Sequence, residues 1–585
     1  MRKSPITQLL CLVVLLIVTA VTGVAQTAAG LPKKRPSAEK IVDNYLKAIG
    51  GKKAVAAQKD ASYEWTVELN NQAVGTARTV RKAPGAERLE LTFGSVVTSN
   101  GITSNSAIST GETNSSLAFA NGQIISATNT RSAWELGFDK QLRTLTSLEA
   151  ATTKLLATLA ASRLVEFKKA NVLARVISLG DIGSEPAYIV EFSTRSGARV
   201  QYYFSVKTKL ITKITSDARK TRILFDDYRA ENGVLEPHRL RLTHHTSGTA
   251  VRGDVLADAT RTGYTSTDLT LVLQSVKYNT GIDDQLFDPP AATEKLDVAA
   301  LVREVAQNQD DTEDRVAEYS FKQTETDREI NSKGELKKQT VKVYEVYPLP
   351  NREPVEKLIS ENGVPLSAER AAKEEKRVQE EFLKAERDKE KDAQRTARRR
   401  AEREKSNSER EKNNLERENN AEREKKQDEE EDGNPAISLF LRACDFISPR
   451  REVFEGRESI VFDFRPRAGF KPKTREESLI AKLVGVVWID PVDKQVMRLE
   501  ARLAEGFKMA GGLLVSLKPG AGLVMEQTRM EQGVWLPRFA QINLSVKVLL
   551  FAGGDFNKTI EWSDYKHFSG DVKDYKIEAP ASVKP

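Results

Sequence analysis

The stretch Arg229-Ala-Glu-Asn-Gly-Val-Leu-Glu-Pro237 returns three hundred residues later as Arg529-Met-Glu-Gln-Gly-Val-Trp-Leu-Pro537. Each copy reads as a tight turn, with Gly233 or Gly533 free to take positive φ, leading into a strand whose first residues include a proline. A single Gly-Val-x-x-Pro carries no weight. Two further landmarks stand upstream of both copies in the same order, and together they mark an internal repeat. Tyr188-Ile-Val-Glu-Phe192 is matched by Ile460-Val-Phe-Asp-Phe464. Tyr203-Phe-Ser-Val-Lys-Thr-Lys-Leu-Ile-Thr-Lys-Ile214 is matched by Trp488-Ile-Asp-Pro-Val-Asp-Lys-Gln-Val-Met-Arg-Leu499. The first pair reads as strands and the second as hairpins, each with a polar turn and an alternating return.

A chain of 585 residues is too long for one core. Two units of about 270 residues fit the ordinary size of a domain or a pair of domains. Apolar residues make up 39%, and 90 basic side chains stand against 83 acidic ones. That excess is small and not gathered into a stripe, which argues against a nucleic-acid footprint. At the N-terminus Arg2 and Lys3 precede an apolar core from Leu9 to Val21, and Gly23-Val24-Ala25 offers small residues where a signal peptidase reads. The expectation is a signal peptide over residues 1–25, cut near Ala25, a linker over 26–36, and export to the periplasm. An apolar core of about thirteen residues falls short of the roughly 20 needed to cross a bilayer. Cys11 lies inside that core, so cleavage leaves Cys444 as the only thiol, and packing alone must hold the exported protein.

Beyond the linker, Ser37 is placed to cap a helix with Ile41, Val42, Tyr45, Leu46 and Ile49 on one stripe, stopped by Gly50-Gly51. Alternation follows through Tyr63, Trp65, Val67 and Leu69, and again through Leu89, Leu91 and Phe93. A second helix is expected within Leu148 to Phe167, and strands run from Val172 to Pro289-Pro290. The second copy opens in the same way, with a helix around Leu296 to Val305, a strand at Tyr319 and a return through Val341 to Tyr347. The domains are therefore 37–290, and 291–365 together with 433–580. Between the two parts of the second lies Leu366 to Asp432, with 20 basic and 22 acidic side chains in 67 residues. It reads as a charged helical or disordered insertion, rich in i,i+4 pairs and without an a/d seam, that is solvated or meets a protein partner. Asn434-Pro435 restarts a helix. Phe507 to Met525 adds a glycine-rich apolar hairpin or flap.

Catalytic signatures are missing. His244 and His245 are neighbours on a strand, so they face opposite sides and do not chelate one metal together. Cys444 has no histidine near it in sequence. No Gly-x-Ser-x-Gly elbow and no His-Glu-x-x-His occurs, and Lys518-Pro-Gly-Ala-Gly522 lacks the Gly-Lys-Ser/Thr of a phosphate loop. The reading is of a non-enzymatic protein with no metal and no cofactor.

Ala38-Glu-Lys-Ile-Val-Asp-Asn-Tyr-Leu-Lys-Ala-Ile-Gly-Gly51, the hairpin from Tyr203 to Ile214, the Asp226-Asp-Tyr-Arg turn with its Gly-Val, and Tyr278-Asn-Thr-Gly-Ile-Asp-Asp-Gln-Leu-Phe287 resemble the periplasmic lipoprotein-carrier superfamily, LolA/LolB-like. Trp488-Ile-Asp-Pro-Val-Asp-Lys-Gln-Val496 is similar to the same family's hairpin. The resemblance implies an α+β fold of two tandem incomplete antiparallel β-barrels, each closed by covering helices around a cavity for acyl chains. The side chains offered to such cavities are Trp65, Leu91, Phe93 and Tyr203 in the first copy, and Phe321, Phe462, Phe464 and Trp488 in the second. Burying an acyl chain gains about 0.8 kcal/mol per CH₂, so a partly filled groove already binds. Two functions fit. One is an envelope carrier or sensor of lipid or a lipidated protein, and the other a scaffold whose barrels are filled by their own side chains while the charged arm meets a partner.

Overall fold

The computed structural model describes residues 36–94, 122–183, 185–246, 265–292, 296–316, 318–331, 336–349, 354–385, 443–509, 515–531, 533–548 and 551–567, with positions 387, 391 and 440 besides. The leader, nearly all of the linker, most of the charged insertion past residue 391, the helix start at Asn434-Pro435 and the tip of the flap at Gly511 to Leu514 lie outside the described residues.

The first sheet is one antiparallel meander folded back on itself. Its left arm is β1 (Asp60–Leu69), β2 (Gln72–Lys82), β3 (Ala86–Phe93), β4 (Gly122–Thr128), β5 (Ala133–Leu136) and β6 (Leu142–Thr144). Its right arm is β7 (Leu173–Ile182), β8 (Glu185–Ser193), β9 (Arg199–Ser205), β10 (Ile211–Ser216), β11 (Thr221–Glu231), β12 (Val234–Thr246) and β13 (Thr265–Tyr278). The arms join where β1 pairs with β13, giving the order β6 to β1, then β13 back to β7.

The second sheet repeats this plan with fewer left-hand strands. On the left are β14 (Tyr319–Ile330), β15 (Leu336–Tyr347), β16 (Val355–Glu361) and β17 (Val364–Pro365). On the right are β18 (Cys444–Phe454), β19 (Arg457–Pro466), β20 (Leu483–Ile489), β21 (Val496–Leu503), β24 (Gly522–Arg529), β25 (Trp535–Val548) and β26 (Phe551–His567). The opening strand β14 again pairs with the closing strand β26. The short strands β22 (Phe507–Met509) and β23 (Val515–Leu517) form a hairpin off this path, with β23 against β25, which is where the sequence places its flap.

The repeated stretch sits at the same place in both sheets. Asn232 (φ 49°) and Gly233 (φ 80°) make the two-residue turn between β11 and β12, both in the left-handed region such a hairpin requires. Gly533 (φ 81°) serves the turn between β24 and β25. Pro237 and Pro537 each fall two residues before the first residue that pairs with the closing strand, Arg239 on β13 and Phe539 on β26. A missing N–H therefore costs no ladder bond on that side.

Helices cover one face of each sheet. Ala38–Ala48 begins at Ser37, whose side chain accepts from the Lys40 N–H, and buries Ile41, Val42 and Leu46. Ser147–Ala161 follows β6 and adds Leu155 and Leu159 to the same core. Val298–Val316 is longer than the expected 296–305, and its Leu301 and Val305 pack on Ile460, Phe462, Val487 and Ile489. The charged insertion differs from expectation at its start. A helix over 368–385 docks through Val378 and Phe382 onto Leu349 and Val355, so this part of the insertion is anchored on the second sheet. Its Glu374 accepts from the Leu358 N–H at 2.9 Å, satisfying a backbone group of β16.

Candidate functional site

The covered face of the first sheet divides into two regions. Under the opening helix, Val190, Phe192, Tyr202, Phe204, Ile211 and Ile214 are packed by helical side chains, with the Tyr45 and Phe204 rings edge to face at 5.7 Å. Beyond it lies a second apolar cluster made of strands alone. Tyr63, Trp65 and Val67 of β1, Phe93 of β3, Leu240 of β12 and Leu269, Leu271 and Leu273 of β13 form its floor. Among the described residues no helical side chain belongs to it. Around that floor Leu91, Ile124, Phe138, Ile223, Phe225 and Leu242 remain half-buried, and Phe138 packs on Phe93 at 5.5 Å.

Between the two regions stands a buried polar knot. Arg163, in the turn after the helix Ser147–Ala161, donates to the Tyr63 hydroxyl at 2.6 Å and pairs with Glu236, and the Tyr278 hydroxyl donates to the same carboxylate at 2.6 Å. Burial, reinforced by the Glu236 charge, pushes the Tyr63 phenol up to about 12, so it stays a neutral donor. Glu236 lies in the repeated stretch Arg229–Pro237. The knot ties the helical layer to β1, β12 and β13 and sets one wall of the helix-free floor.

The second sheet is filled differently. Phe462 and Phe464 are wholly buried, the former beneath the helix Val298–Val316 and the latter against Phe440, Ala443 and Ile480. Trp488 is turned to the opposite face, where it packs with Val461, Met497 and Trp535. Phe321 is half-buried against Tyr565 at 5.2 Å. Of the eight side chains singled out by sequence, only Trp65, Leu91 and Phe93 share one cluster. Tyr203 does not join them. Strand β9 turns Val200, Tyr202 and Phe204 to the helices, and Tyr203 to the outer face, where the Lys213 ammonium lies 4.0 Å from its ring centre. The companions Leu240, Leu269 and Leu271 were missed. Their alternation in β12 and β13 was their only signal, and it adjoins residues 247–264, outside the described structure.

The two sheets meet through charges. Arg450 and Asp463, exposed by 1% and 0%, pair at 3.0 Å, and Arg450 also holds Glu452 at 2.9 Å. From the first unit, the Ser132 hydroxyl donates to Asp463 at 2.8 Å, and the Thr144 N–H donates to Glu452 at 2.7 Å. Thr144 ends the edge strand β6, and Glu452 lies on the edge strand β18, so this contact closes two open edges at once. Lys154 lies against the same patch, and burial together with the Arg502 charge lowers it to about 8.

Among the described residues no group of three or more His, Cys, Asp and Glu is placed to hold a metal, and no helix is long and apolar enough to cross a membrane. Free Cys444 is buried, which pushes its thiol up to about 12.

No family description and no curated protein matches the chain. Solved structures to which it is similar include a DUF1329 family protein from Desulfovibrio piger, at 11% identity over 43% of this chain and 97% of that one, with a TM-score of 0.25. A LolA superfamily protein from Nitrosomonas europaea is similar at 13% identity over 44% of this chain and 99% of that one, also with a TM-score of 0.25.

Proposed function

We propose that the chain is an exported, non-enzymatic carrier or sensor that holds a hydrocarbon chain, from a lipid or a lipidated protein, on the helix-free floor of its first sheet. The observation that carries this reading is a floor of Trp65, Phe93, Leu240 and Leu271 with half-buried Leu91, Ile124, Phe225 and Leu242 around it, and a cluster that, among the described residues, includes no helical side chain. A half-open apolar surface of this kind gains about 25 cal/mol for each Å² covered, and a flexible acyl chain can follow its curvature.

We read the two units as duplicates of one carrier-like ancestor of LolA/LolB type, each an incomplete barrel. The common strand order, the opening strand paired to the closing strand and the equivalent placing of Pro237 and Pro537 support that reading. In the duplicate the corresponding face is occupied by Phe462, under the helix Val298–Val316, and by Phe464, against Ala443 and Ile480. The second unit then acts as a rigid support for the first. That filling also favours a second reading for this half, an interaction scaffold whose charged arm beyond residue 385 meets a protein partner.

Titration of delipidated protein with a fluorescent long-chain fatty acid tests the first reading, alongside native mass spectrometry of the protein as purified. Saturable binding that is lost on substituting Leu91 and Ile124 supports the carrier. A protein that takes no acyl probe and co-purifies with a specific partner instead sinks it in favour of the scaffold.

A further inference from the structure

A second crevice lies in the second unit, between the start of the helix Val298–Val316 and the strand β18. It is a cavity of about 510 Å³, within the ordinary range of small-molecule sites. Val298, Val302, Phe446 and Ile447 give it apolar walls, and Arg303 and Arg467 stand with Asp445 at its rim. Beside it the ladder between β18 and β19 shifts between Ile447 and Arg450, where Ser448 adopts φ 51°. The Ala292 N–H donates to the Pro449 carbonyl at 2.7 Å.

The charges at the rim are unequal. Arg467 is committed to Asp445 at 3.0 Å. Arg303 is exposed and donates through Nε to the Ala299 carbonyl at 3.1 Å, and among the described residues no carboxylate pairs with it. Among the described residues, a guanidinium with no carboxylate partner therefore overlooks an apolar hollow. We propose that this crevice is a binding site for an anionic amphiphile, whose tail lies along Val298, Val302 and Phe446 and whose carboxylate or phosphate is met by Arg303. The site is separate from the floor around Trp65 and does not depend on it, since the two share no residue.

Dodecanoate, methyl dodecanoate and inorganic phosphate are the probes, measured by calorimetry on the full chain and on the variants Arg303→Gln and Ala299→Trp. Both altered positions are exposed, so the fold is retained. The expected result is that Arg303→Gln weakens dodecanoate by about tenfold, the ordinary value of one charge-assisted contact, and leaves the methyl ester unchanged. Ala299→Trp, which fills the hollow, should remove both at this site. Substitution of Ile124 on the first floor should leave this binding intact, so loss of the carrier reading and loss of this site are distinguishable. Equal binding of acid and ester, dodecanoate binding insensitive to Ala299→Trp, or inorganic phosphate binding as well as dodecanoate would each overturn the proposal.

Discussion

Gly50 rests directly on Gly233: a β-carbon at position 50 would come to 2.4 Å from the Gly233 carbonyl oxygen and 3.3 Å from the Val234 α-carbon. The opening helix thus ends on the repeated turn, and the Leu235 N–H donates to the Ile49 carbonyl at 2.9 Å. In the second unit Val316, the last residue of its long helix, packs on Val534 and Leu536 of the equivalent turn. Gly50 also has φ 123°, a conformation nearly closed to other residues. Replacing it with alanine adds a backbone clash to a strained φ and should cost about 3 kcal/mol or more in a denaturant titration. Gly51, with φ 94° and open space around it, provides the control. Gly51→Ala should carry only the backbone strain, about 1–3 kcal/mol without the clash, and a loss at Gly51 as large as at Gly50 would contradict the clash.

Arg163 and Glu236 form the second test. With side chains 11% and 7% exposed, they are buried together with two tyrosine hydroxyls, so removing one partner strands the other charge. Glu236→Ala should destabilise by about 3–5 kcal/mol, and the double variant Arg163→Met with Glu236→Leu should recover much of it, because an apolar pair replaces a desolvated ion pair at little cost. The measurement is a double-mutant cycle on unfolding free energy. A double variant as unstable as the sum of the singles would mean that the knot does more than satisfy itself.

How much of this was legible from residues alone follows from where alternation is clean. Tyr63, Trp65 and Val67 alternate with polar neighbours, and the structure gathers them on one face. Tyr202 and Tyr203 are adjacent aromatics, so period two cannot choose between them, and the register set by β8 turns the first one inward. Ile460 to Phe464 is buried on both sides, by the helix over Ile460 and Phe462 on one, and on the other by Trp488, Met497 and Trp535 around Val461 and by Ser132 of the first unit at Asp463. A continuous apolar run of that kind hides which residues share a face with Trp488. Val378 and Phe382 were invisible for another reason: two anchors suffice to dock a short helix whose other residues are mostly charged or alanine, and composition averages them away. The ionic seam between the units, Arg450 with Asp463 and Glu452, has no sequence signature, since its partners lie some three hundred residues away at Ser132 and Thr144.

That seam should make the two units unfold together. Arg450→Met leaves Asp463 and Glu452 buried without their shared cation, and the expected cost is about 3–5 kcal/mol. Scanning calorimetry should find one transition in the parent protein and two in the variant, as the contact between β6 and β18 gives way before either sheet. A single transition in both, at unchanged temperature, would contradict the role given to the seam.

Lys154 gives the seam a dependence on pH. Its ammonium donates to the Arg131 carbonyl at 2.7 Å, and burial beside Arg502 lowers it to about 8 from an ordinary 10.5. Below pH 8 it is protonated in both folded and unfolded chains, and the whole cost of burying the charge is carried. Between about pH 8 and 10.5 the unfolded chain binds more protons than the folded one, so this group makes stability rise with pH across that window. Lys154→Met should be more stable than the parent at pH 7, and the gap should close as the pH approaches 10.5. Parallel stability curves for the two proteins from pH 7 to 10 would exclude the buried ammonium as the cause.

The helix-free floor makes the sharpest demand on position. Ile124 is half-buried at its rim, so Ile124→Glu leaves the core beneath largely intact while setting a carboxylate where a hydrocarbon chain would lie. An unpaired charge against an acyl chain should weaken a fluorescent fatty acid at least about tenfold. Tyr203→Ala, on the outer face with Lys213, removes a larger aromatic surface from the same unit and should leave binding unchanged. Leu242→Glu, which faces the floor from β12 beside Leu269, should reproduce the loss. If Tyr203→Ala weakens the probe as much as the two glutamates do, the chain binds on the outside of the sheet, and the floor around Trp65 and Phe93 is ordinary core.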